Sequence, residues 1–187
     1  MFADLVTHFD ERADRLIEPL RGRPGADRIF YTASALGDFG LLWVVFALLR
    51  ALRGGKKNER AAIRGIVATG VESVLVNVIL KSFFGRGRPL EQRDHPLPLR
   101  QPRSSSFPSG HTTAAFCGAV LLSEDDPFAA GYFVAAGVIS LSRMYVKAHH
   151  ASDVAGGVGV GLFLGWVGRR LFRISRDGEL PTGNRRR

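Results

Sequence analysis

The chain has 187 residues, 45% of them hydrophobic and 23% charged, with a net charge of +9; that length suits a single domain. The 26 Lys and Arg against 17 Asp and Glu invite an anionic partner. No nucleic-acid motif and no aromatic-interleaved basic strand is present, so the charge points to a membrane surface and not to nucleic acid. A lone Cys117 excludes an internal disulfide and a cysteine-based metal site.

The apolar residues are gathered in blocks with the charges between them, the pattern a bilayer selects. Residues 1–20 place Phe2, Leu5, Phe9, Leu16 and Leu20 at helical spacing with charges opposite. This predicts an amphipathic helix that either lies in the membrane interface or covers the bundle. The first 35 residues mix both charges with no early apolar core, so a cleavable signal peptide is not expected. Five spans follow, at 37–52 (with Asp38 at its start), 61–80, a short 109–122, 129–146 and 154–172. All are read as helices, because a helix satisfies its own backbone in lipid. Glu72 and Asn77 inside the second span are assigned to packing. The fifth span is rich in Gly (156, 157, 159, 161, 165), which permits close helix approach. The expected fold is all-α: an integral-membrane bundle of about five spans in one domain, 1–175, with a polar basic tail, 176–187, expected to be disordered.

Three segments carry chemistry. Lys81 and Arg88-Pro89 close the second span, Pro108-Ser109-Gly110-His111 opens the third, and Ser142-Arg143, His149 and Asp153 join the fourth to the fifth. Lys81, Arg88 and Arg143 form a candidate phosphate cradle, since a cation at a span end is costly without a partner. Arg86, Arg93, Arg100 and Arg103 fit the blander role of snorkelling to headgroups. Ser109 is a good helix cap, Gly110 allows close backbone approach, and a helix N-terminus attracts anions. His149 and Asp153 are four apart, so a helical turn would put them on one face and let the carboxylate fix the imidazole tautomer. His111 can act as general acid. Two His and one Asp could instead hold a metal. Hydrolytic two-metal sites bring more carboxylates, however, and only Asp153, Glu91 and Asp94 lie near the motifs. No metal and no cofactor is expected.

Lys81-x6-Arg88-Pro89, Pro108-Ser109-Gly110-His111 and Ser142-Arg143-x5-His149-x3-Asp153 together resemble the three signatures of the type 2 phosphatidic acid phosphatase (PAP2) superfamily. The resemblance implies a helical bundle in which His149 becomes phosphorylated, His111 protonates the leaving group and Asp153 orients His149. Lys81, Arg88, Ser109, Gly110 and Arg143 would bind phosphate. His150-Ala151 stands where members often carry an aromatic and a proline, and members usually have six core helices. The expected substrate is a membrane lipid phosphate, a polyprenyl phosphate or diphosphate ahead of a glycerolipid. Vanadium haloperoxidases share the motifs, but they are soluble and much longer; an inactive membrane module would be expected to have lost catalytic positions. The linker after the first span and the C-terminal tail hold Arg50, Arg53, Lys56, Lys57, Arg60 and Arg64, then Arg169, Arg170, Arg173, Arg176 and Arg185 to Arg187. Discounting Lys81, Arg88 and Arg143 as functional, positive-inside logic puts that side in the cytoplasm. The expected location is a bacterial cytoplasmic (inner) membrane, with the site facing outward.

Overall fold

The computed structural model describes residues 1–89 and 104–174. The expected tail at 176–187, and Arg93, Arg100 and Arg103, lie outside the described residues. Those described form seven α-helices and no strand: α1 (Phe2–Ile17), α2 (Pro24–Leu36), α3 (Leu41–Leu52), α4 (Lys56–Val74), α5 (Gly110–Leu122), α6 (Ala129–Tyr145) and α7 (Ala151–Leu171).

The interior is built of small side chains. Ala47, Ala62, Ala115, Ala119 and Ala136 pack around Trp43, Leu122, Tyr132 and Ile139. Large apolar residues point outward, including Ile63, Val67 and Val74 on α4 and Phe163 and Trp166 on α7. Small inside and large outside suits a solvent of hydrocarbon, in which close helix contact and not hydrophobic expulsion drives packing. Two continuous helical stretches are long and apolar enough to cross a membrane, Lys56–Phe83 and Ala151–Leu171, and a bent pair of helices adds a third candidate. The glycine seam of α7 works as expected. An added Cβ would lie 2.9 Å from Ser109 O at Gly157, 2.5 Å from Thr113 O at Gly161 and 2.7 Å from Val120 at Gly165, but would meet nothing at Gly159.

The first expected span proves to be half of a longer broken element. Pro24 starts α2 and Asp27 sits in its first turn, ordinary helix-start chemistry. After α2, the Asp38–Gly40 turn puts Phe39 and Gly40 at φ 55° and 68°, and the chain bends by 65° into α3. Counting α2 restores six helices beside the amphipathic one. In the second span, α4 runs into a π turn at Leu75–Ile79 and a 3₁₀ turn at Leu80–Phe83. Nine residues along an α-helix would turn Lys81 about 180° away from Glu72. Across the two irregular turns both are buried, at 6% and 2% exposure.

The amphipathic helix covers the bundle, one of the two places its sequence allowed. Asp10 is buried against the bundle, with Val6, Ala13 and Ile17 partly so. Leu5, Phe9 and Leu16 stay exposed on a second face, and Asp4, Glu11 and Arg15 on a third. At the opposite end of the bundle the basic residues are tied internally. Arg50 donates to Leu122 O and Glu124 O and pairs with Asp126; Arg53 pairs with Asp126, and Arg64 with Glu124. These contacts cap the carbonyl end of α5, where a cation is favoured.

Candidate active site

The loop between α6 and α7 presents His149. Its shape is set by the Ala148 and His149 amides, which donate to Arg143 O at 3.0 and 3.1 Å, and by Lys147 at φ 52°. His149 does not share a helical turn with Asp153, as the spacing predicted. It precedes α7, whose N-cap is His150. Asp153, wholly buried in the first turn, folds back instead. Its Oδ2 accepts from the His150 amide at 2.9 Å and from the Ser106 hydroxyl, and lies 3.7 Å from His149 Nδ1. That separation is an electrostatic contact and not a hydrogen bond. Ser106 Oγ, 3.4 Å from the same nitrogen, completes this side of the ring.

The far nitrogen of His149, Nε2, lies 3.3 Å from Arg88 Nη1. A guanidinium can only donate. It therefore meets Nε2 as a lone pair, and the ring proton falls to Nδ1, facing Asp153. Burial pushes the His149 pKa down to about 3; contact with Asp153 opposes this, and the Arg143 and Arg88 charges add to it. The imidazole is thus neutral at physiological pH, with the Nε2 lone pair turned to Arg88 and the cavity.

A second His–carboxylate pair faces the same space. His111, in the first turn of α5, has Nε2 2.9 Å from Asp38 Oδ1. Asp38 gets there because of the tight corner after α2. A Cβ on Gly37 would lie 2.7 Å from the His111 ring, so only glycine lets the corner come this close. The sequence marked Asp38 only as the start of a span; its pairing to a residue 73 positions away leaves no local signal.

The expected phosphate ligands divide. Lys81, Arg88, Gly110, His111 and His149 line one cavity of about 580 Å³. Arg88 also donates to Ala148 O at 2.9 Å, and burial lowers its pKa. Ser109 is fully buried; its amide donates to Asp153 O at 3.0 Å and its hydroxyl caps Thr112. It builds the helix start, which leaves the Gly110 and His111 amides without intrahelical acceptors. Gly110 has a packing reason beside the expected one, since its Cβ would meet Asn77 Oδ1 at 2.7 Å. Arg143 is buried and donates to Ser34 on α2 through Nη1, while Nε has no partner. Glu72, assigned to packing, is buried with neither carboxyl oxygen hydrogen-bonded.

Arg86 corrects the sequence reading. It is not a free interfacial cation: Nη1 donates to Asp153 Oδ1 at 2.7 Å. Ser106 and Asp38 are the other site residues the motifs do not contain. Among the described residues no three His, Cys, Asp or Glu side chains are grouped to hold a metal.

From the cations and histidines the cavity continues between α3 and α4 along Trp43, Val44, Ile66 and Val74. An all-helical membrane bundle with histidines, cations and an apolar groove on one cavity is built as a membrane phosphatase. The chain belongs to the PAP2 superfamily, whose model matches residues 62–177. It is 31% identical over 154 residues to decaprenylphosphoryl-5-phosphoribose phosphatase of Mycobacterium tuberculosis, covering 78% of this chain and 80% of that one. It is 37% identical over 102 residues to phosphatidylglycerophosphatase B of Bacillus subtilis, 48% of each chain. The structure is similar to the transmembrane PAP2-type phosphatidylglycerolphosphate phosphatase from Bacillus subtilis, with a TM-score of 0.66, 25% identity and coverage of 92% and 89%. Aquifex aeolicus LpxE gives 0.65, 30%, and 84% and 92%.

Proposed function

We propose that the protein is a metal-independent lipid phosphatase that hydrolyses a phosphate monoester or diphosphate through a phosphohistidine on His149. The observation that carries this is Nε2 of His149, facing the cavity 3.3 Å from a guanidinium that can only donate to it, with Nδ1 toward Asp153 and Ser106. Nε2 attacks phosphorus and the bond to the lipid oxygen breaks. His111 gives that oxygen its proton. Water then attacks the phosphohistidine, His111 takes a proton from it, and inorganic phosphate leaves. Lys81, Arg88, Arg143 and the free amides of α5 stabilise the charge on the transferring group. This is the work a metal would otherwise do.

The cavity supports the substrate class. A phosphate at Lys81 and Arg88 would leave its chain against Trp43, Val44 and Ile66, an apolar path suited to an acyl or polyprenyl tail. The relative named for a decaprenylphosphoryl substrate favours polyprenyl over glycerolipid. The location is a bacterial inner membrane, with the site open to the outer leaflet.

The test is trapping. With excess chelator, wild-type protein and ³²P-labelled polyprenyl phosphate should give an acid-labile, alkali-stable phosphoprotein that His149→Ala does not form. Activity that disappears in chelator and returns with one divalent ion would overturn the mechanism, as would a phosphoenzyme retained by His149→Ala.

A further inference from the structure

Asp153 is gripped from both sides. His149 and Ser106 meet Oδ2, and the guanidinium of Arg86 meets Oδ1. That guanidinium is itself held. Its Nη1 also donates to Ser152 Oγ at 2.7 Å, and its Nη2 to Asp10 Oδ2 at 2.6 Å. Asp10 comes from α1 and is 8% exposed; it accepts the Ser152 amide at 2.7 Å and the Ser152 hydroxyl at 2.9 Å. The carboxylate of an N-terminal helix therefore reaches the first turn of α7 through one arginine and one serine. Asp10, Arg86 and His149 also line a second cavity of about 400 Å³ beneath α1, so these groups separate Asp153 from that space.

We infer that Asp10 and Arg86 are positioning residues that hold Asp153 in line with His149. An unneutralised arginine on Oδ1 would draw the carboxylate away from the imidazole and add another cation beside a histidine that becomes positively charged during attack. Asp10 cancels that charge but leaves the donor in place. Arg86 thus offers Asp153 a directional hydrogen bond at little electrostatic cost to His149. Arg86 on Oδ1, with Ser106 and the His150 amide on Oδ2, then fixes both oxygens of one carboxylate. Docking of α1 alone does not require this arrangement: Arg21 already anchors the end of that helix to the α6 carbonyls of Tyr145 and Met144 at 2.9 and 3.0 Å.

This inference rests on His149 as the nucleophile, and its test keeps the two apart. Asp10→Asn, Arg86→Gln and the double variant are made in the wild-type chain and in an Asp153→Asn background, with kcat, KM, thermal midpoint and phosphohistidine yield measured on polyprenyl phosphate. Each single change should lower kcat roughly tenfold, the weight of one charge-assisted hydrogen bond, with KM within about twofold. The double variant should lose little more than either single one. In the Asp153→Asn background neither change should lower kcat further. Arg86→Lys, which keeps the charge and one donor, should recover part of the loss and serves as the readout if Asp10→Asn does not fold. Additive losses, or equal losses with Asp153 already replaced, would overturn the inference. So would an unchanged kcat beside a normal wild-type phosphohistidine. A wild-type chain that forms no phosphohistidine would remove the mechanism itself.

Discussion

Replacing Asp38 by Asn keeps the size and the turn-forming character of the side chain but removes its charge. Asp38 Oδ1 lies 2.9 Å from His111 Nε2, so in the proposed reaction a carboxylate stands beside the imidazolium that His111 must form to pass a proton to the leaving oxygen. A hydrogen bond between charged groups contributes about 1.5–3 kcal/mol when buried. The Asp38 side chain is 27% exposed and that of His111 13%, which places this pair near the lower end. A loss of ~1.5–2 kcal/mol corresponds to roughly 10- to 30-fold in rate. That loss should appear in kcat for an alkyl lipid phosphate, whose leaving oxygen needs the proton. An activated aryl phosphate, whose phenolate leaves unaided, should lose less than about threefold. The assay compares the two substrates in the same detergent micelles, with the thermal midpoint as a folding control. Equal losses on both substrates would refute a leaving-group role for the Asp38–His111 pair.

In the α7 seam, Gly161→Ala puts a Cβ 2.5 Å from a backbone oxygen and should destabilise by about 1–3 kcal/mol; Gly159→Ala, with nothing in reach, should not. Thermal unfolding in detergent checks the pair, and equal midpoints would contradict the packing. His149, with its pKa near 3, should show no imidazole titration by ¹⁵N NMR between pH 5 and 8. The unfolded ring, near 6.5, binds more protons than the folded one between those two values. Its contribution to stability is therefore complete above about pH 6.5 and is lost as pH falls toward 3. A folded-state midpoint near 6.5 would refute the buried neutral ring. For topology, single cysteines at Gly85 or Lys56 in a Cys117→Ala chain should label with an impermeant thiol reagent on intact cells at 85 and not at 56; the reverse would put the chemistry in the cytoplasm.

What the sequence displayed follows from how far each signal reaches along the chain. Span ends at 52, 122 and 129 agree with α3, α5 and α6 because apolar blocks and helix-start chemistry are local. The motif histidines and cations were visible because their spacing is local too. By contrast, α2 was hidden: Asp27, Arg28, Thr32 and Ser34 interrupt its apolarity. Arg86 looked like one basic residue among several. Its partners, Asp10 and Asp153, lie 76 and 67 positions away, and no periodicity relates them. The His149–Asp153 contact was right as a pairing and wrong as a geometry, because four-residue spacing also arises when a helix's first-turn carboxylate folds back over its own N-terminus.

The shortness of α5 follows from the same architecture. Thirteen residues make about 20 Å of helix, well short of a ~30 Å hydrocarbon core. Because Gly157 of α7 packs on Ser109, α5 starts some six residues, roughly 9 Å, deeper than α7 does. Around its N-terminus lie the 104–109 segment, the Asp38 corner and the His149 loop, which bring Ser106, Asp38 and His149 to the site. A full-length helix in that position would fill the site with its own first turns. A short one begins at the cavity that Lys81 and Arg88 also line, while the groove between α3 and α4 stays open alongside. In the proposed reaction a lipid phosphate then needs to sink only its headgroup to reach His149, and its chain never has to leave an apolar surface.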